Sequence, residues 1–72
     1  MLTYKDRVVD VIVERMLNRL SAHSHLPTVS ITPWMNEFNR HYWNPVLAKL
    51  REKGHTIFCC SGEYYVDKGQ HL

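Results

Sequence analysis

Disulfide chemistry is the first thing this chain lacks. Its only two cysteines, Cys59 and Cys60, are adjacent. Neighbouring side chains on a strand point to opposite faces, so a disulfide framework is excluded and reduced thiols in a cytoplasmic setting are the expectation. Glycine is scarce as well, with three residues that read as turn or helix-end positions, and no Gly-rich phosphate loop is present. No apolar run approaches the roughly 18 to 20 residues needed to span a bilayer. Lys5, Asp6, Arg7 and Asp10 stand where a signal peptide would need its apolar centre. No membrane association is expected.

Charge of one sign is also missing. Nine Lys and Arg against seven Asp and Glu leave +2, which neither demands nor excludes an anionic partner. The five histidines include His23 and His25, one residue apart, and neither they nor the cysteines have the spacing of a structural zinc site. No cofactor or metal is expected. With no paired carboxylates and no Ser, His and acid grouping on a recognisable scaffold, an enzyme is not expected either. What remains is one domain, 1–72, of ordinary globular composition, with eight aromatic residues to build a core (two Trp, four Tyr, two Phe).

Thr3 and Asp6 resemble a capping box, and the polar positions that follow recur at helical spacing, predicting a first helix over 4–21. Its inner stripe is Val9, Ile12, Val13, Met16 and Leu20, while Val8 and Val11 widen the apolar face beyond one stripe, as burial on two sides or a partner would require. Residues 22–27 read as a loop, and the β-branched alternation of Thr28 to Ile31 reads as a short strand. Thr32 followed by Pro33 predicts an N-cap and a second helix over 33–40, with Trp34 and Phe38 one turn apart on its buried face. Asn44 followed by Pro45 repeats that logic for a third helix over 45–53, stopped by Gly54.

His55 to Cys60 and Glu63 to Asp67 form a hairpin around Ser61-Gly62. A two-residue turn sets Cys60 opposite Glu63, Cys59 opposite Tyr64, Phe58 opposite Tyr65 and Ile57 opposite Val66. Ile57, Cys59, Tyr64 and Val66 then form the inward face, and Phe58 with Tyr65 an outward aromatic pair. The expected core is Val9, Ile12, Val13, Met16, Leu20, Ile31, Trp34, Phe38, Val46, Leu47, Leu50, Ile57 and Val66.

Helix, short strand, helix, turn, helix and two-stranded wing is the order of an α+β winged helix-turn-helix. The stretch Leu50-Arg51-Glu52-Lys53-Gly54-His55-Thr56-Ile57-Phe58, followed by Ser61-Gly62 and Tyr65, resembles the end of the recognition helix and the wing of the biotin-repressor type of DNA-binding domain. The resemblance implies a small regulator that binds double-stranded DNA, and the few cations of a single copy make a homodimer the expectation, since two copies double the phosphate contacts. Its candidate contacts are Arg40, His41, Asn44, Lys49, Arg51, Lys53 and His55, most of them reaching phosphates.

A second reading takes the same scaffold as a protein-interaction module. The acidic Glu63 at the wing turn, the mixed Lys49 and Glu52 on the third helix, and the outward Phe58 and Tyr65 motivate it. A short chain that opens on its own methionine with no enzymatic domain suits a phage or mobile-element regulator of transcription, one acting on a host protein such as RNA polymerase included.

Overall fold

A computed structural model describes residues 3–23 and 25–67. Helix α1 spans Tyr4–Ala22 and opens as expected: Thr3 Oγ1 accepts the Asp6 N–H at 3.1 Å, and the Asp6 carboxylate accepts the Thr3 N–H at 3.2 Å. Its buried stripe is Val9, Val13, Met16 and Leu20. Ile12, expected in that stripe, is half-buried at its edge. The loop expected over 22–27 includes Ser24, which lies outside the described residues.

Strand β1, Thr28–Ser30, leads into helix α2, Thr32–Met35. The second helix is thus one turn long and does not reach residue 40. Past Met35 the bonds shift to the i→i+3 type, and Asn39, whose side chain accepts the His41 N–H at 3.3 Å, starts a separate 3-10 turn, Arg40–Tyr42. The chain keeps turning after the helix through the Glu37 N–H to Trp34 O and Phe38 N–H to Met35 O bonds, so Trp34 and Phe38 still share one side and line a groove against α1. Both are half-buried, and Met35 takes the core position with none of its surface exposed.

The 3-10 turn runs directly into helix α3, Trp43–Glu52. Asn44 is therefore not the N-cap; Tyr42 holds that place without a side-chain cap bond. Pro45 still lies in the first turn, where a missing N–H leaves no bond unmade. At the other end Gly54 adopts φ 95°, its N–H donates to Arg51 O at 3.0 Å, and the His55 N–H donates to Leu50 O at 3.2 Å. This pair of bonds closes the helix C-terminus as a Schellman motif.

Strands β2, Thr56–Cys60, and β3, Glu63–Asp67, pair in the expected register, with Ile57 opposite Val66 and Phe58 opposite Tyr65. β1 pairs antiparallel with the other side of β3, giving a three-stranded sheet in the order β1-β3-β2. The ladder continues past Ser30: the Ile31 N–H donates to Tyr64 O at 2.9 Å, and Thr32 Oγ1 accepts the Tyr64 N–H at 2.8 Å. Thr32, expected as an N-cap, is instead the side-chain rung that ties α2 to β3.

One core joins α1, α3 and the sheet, with Ile31, Val46, Leu50 and Val66 among its fully enclosed residues. Val29 joins it from β1. Cys59, expected inward, is exposed, and Tyr64 is half-buried, because the inner sheet face extends beyond the helices at the Ser61-Gly62 end. This α+β arrangement of three helices and a three-stranded antiparallel sheet is compatible with a winged helix. Among the described residues no helix is long and apolar enough to cross a membrane.

Candidate nucleic-acid interface

α3 buries Val46, Leu47 and Leu50 and turns Asn44, Ala48, Arg51 and Glu52 to solvent. At 100° per residue these four form one face, with the small Ala48 at its middle. Arg40 and His41 are exposed just ahead of the helix, at the end where its N–H groups and positive dipole project. Arg40, His41, Asn44 and Arg51 are therefore all exposed, on α3 or just ahead of it.

The other three candidates lie elsewhere. Lys49 is half-buried, with Nζ 3.8 Å from Asp10 Oδ1 of α1. Lys53, one turn further along, is exposed on the same flank and borders a shallow groove with Asp10, Val13, Glu14 and Leu17. Asp10 and Glu14 thus offset part of the positive potential of those two lysines. His55, expected to open the strand, lies half-buried just before β2 and supplies the backbone N–H that closes α3. Lys49 and Glu52, read from the sequence as one exposed face, are separated: only Glu52 faces outward.

The hairpin carries a different surface. Phe58 and Tyr65 are stacked, with ring centroids 5.5 Å apart and planes 22° from parallel, and Phe58 is 41% exposed. The aromatic pair expected from the register is formed and reaches solvent. Cys60 and Glu63 are exposed beside it.

Between α2, the N-terminal end of α3 and the hairpin lies a cleft of about 620 Å³ lined by Thr32, Asn36, Arg40, Trp43, Cys59 and Tyr64, among others. The Arg40 guanidinium sits over the Trp43 ring at 4.9 Å, and Trp43 meets Tyr64 edge to face at 5.8 Å. Trp43 Nε1 is buried and has no acceptor among the described residues. Sequence reasoning picked out Arg40 and missed the rest of this group. Two signals were available: the Arg40 and Trp43 spacing of one helical turn, and the pairing of Cys59 with Tyr64. Among the described residues no group of three or more His, Cys, Asp or Glu could hold a metal ion.

No protein-family model matches this chain, and searches of curated proteins and of solved structures find no match.

Proposed function

We propose that the protein is a winged helix-turn-helix regulator that binds double-stranded DNA, with α3 as the recognition helix and β2-β3 as the wing. The observation that carries this reading is the outward face of α3. It is uncovered along its length, has a small residue at its centre, and is led in by Arg40 and His41 at the helix N-terminus. Such a helix fits a major groove, and a hairpin that follows it directly is placed to rest on the backbone. Arg40 and Arg51 are the outward cations; Lys53 reaches phosphates from the flank, and Lys49 does so by exchanging Asp10 for them. Asn44 is the residue on this face best suited to read a base edge, since an Asn amide pairs with adenine.

Fluorescence anisotropy with a 24-base-pair duplex tests this across a salt series. The expected result is an affinity that falls log-linearly with salt. In Arg51→Ala and in Arg40→Ala the slope should become shallower by about one, because each substitution leaves one phosphate without its cation. Binding no tighter than micromolar at low salt, unchanged by both substitutions, would overturn the proposal.

The exposed stack of Phe58 on Tyr65 favours a second reading, in which the wing docks on a host protein such as RNA polymerase in the manner of a phage regulator. Replacing both rings with serine separates the two. On the first reading DNA binding survives with the fold intact; on the second, capture of that purified partner is lost while residual DNA binding is unaffected.

A further inference from the structure

The walls of the cleft between α2, the start of α3 and the hairpin are chemically one-sided. Among the described residues they carry one cation, Arg40, and no carboxylate, and Trp43 and Tyr64 give them aromatic surface. Thr32 Oγ1 spends a lone pair on the Tyr64 N–H, which leaves its hydroxyl proton free to donate, and Asn36 adds an amide on the rim. Arg40 meanwhile lays its guanidinium on the face of the Trp43 ring, so its forked N–H groups remain open to a planar oxyanion.

We infer that this cleft is a binding site for a small ring-bearing anion, a phosphate or carboxylate attached to a planar ring. Arg40 and Thr32 hold the oxyanion, and Trp43 and Tyr64 contact the ring. The volume of about 620 Å³ is in the range of small-molecule sites. Duplex binding by α3 is not required for this site, although a backbone phosphate of bound DNA offers the same oxyanion chemistry.

The test follows the indole N–H signals of the full-length ¹⁵N-labelled protein by NMR. Trp34→Phe assigns the signals, and Trp34 then serves as the internal control. The probes are adenosine monophosphate and benzoate, with inorganic phosphate and acetate as ringless counterparts and a 24-base-pair duplex as a separate arm. The Trp43 signal is expected to move saturably with adenosine monophosphate or benzoate while the Trp34 signal stays. Arg40→Gln and Asn36→Asp should each weaken that binding at least tenfold with the remaining spectrum retained.

Equal binding of inorganic phosphate and adenosine monophosphate would overturn the ring part of the assignment. A Trp43 shift with duplex alone would make the cleft a backbone-phosphate contact and overturn the small-ligand site. No shift, or a shift unchanged by Arg40→Gln, would overturn it altogether. Arg51→Ala keeps the two proposals apart, since it should weaken duplex binding and leave adenosine monophosphate binding intact.

Discussion

Replacing Thr32 with valine removes the oxygen that accepts the Tyr64 N–H at 2.8 Å and keeps the shape of the side chain. The part-buried N–H is left without a partner, so the expected loss is about 1–3 kcal/mol of stability, read from urea unfolding, with Thr32→Ser close to the parent. The Arg19 and Glu37 pair shows a weaker kind of residue effect. Its hydrogen bond of 2.9 Å holds the Glu37 carboxyl below the ordinary value of 4.5, and both side chains are solvent-exposed. A lowered folded-state value stabilises above the unfolded value and is lost as pH falls through the folded one. Glu37→Gln should therefore lower Tm slightly at pH 7, because exposed pairs contribute little, and match the parent near pH 3 in a thermal melt series.

The elements differ in how much of them the sequence specifies. α1 was legible because its capping box and charge spacing agree with its burial, and the hairpin register because Ser61-Gly62 leaves only one two-residue pairing. α2 was not, since a Pro33 start says nothing about length and the cap that Asn39 gives the following 3-10 turn leaves no periodic signal in the sequence. Lys49 was misplaced because a helical wheel shows which face is buried in its own helix and cannot show Asp10 arriving from α1. The cleft was hard to read for the same reason, since its Cys59 and Tyr64 wall comes from a hairpin distant in sequence from the 32–43 segment. The hairpin turn itself can be tested: Ser61 sits at φ 53° and Gly62 at φ 79°, the positive values of a type I′ turn. Gly62→Ala should cost about 1 kcal/mol and Ser61→Asn should raise stability by a few tenths to about 1 kcal/mol, both read from Tm.

At the scale of the molecule, the proposed regulator would hold DNA more tightly if two copies joined along the outward face of α1. Tyr4 is 79% exposed and Val11 53% exposed, and Val8 and Phe38 continue the same apolar groove between Arg7 and Arg15. A single protomer presents Arg40 and Arg51 outward with Lys49 and Lys53 on the flank beside Asp10 and Glu14, few cations for tight binding at physiological salt. Two copies joined along α1 by a two-fold axis would double them, and would read half-sites about one helical turn, ~34 Å, apart. Val11→Asp changes an exposed position and should leave the unfolding midpoint unchanged. It should convert a dimer to a monomer in sedimentation velocity and roughly halve the salt slope of duplex binding. A variant that still sediments as a dimer would move the interface to the exposed stack of Phe58 on Tyr65. The wing would then be covered in the assembly and α3 would have to engage DNA without it.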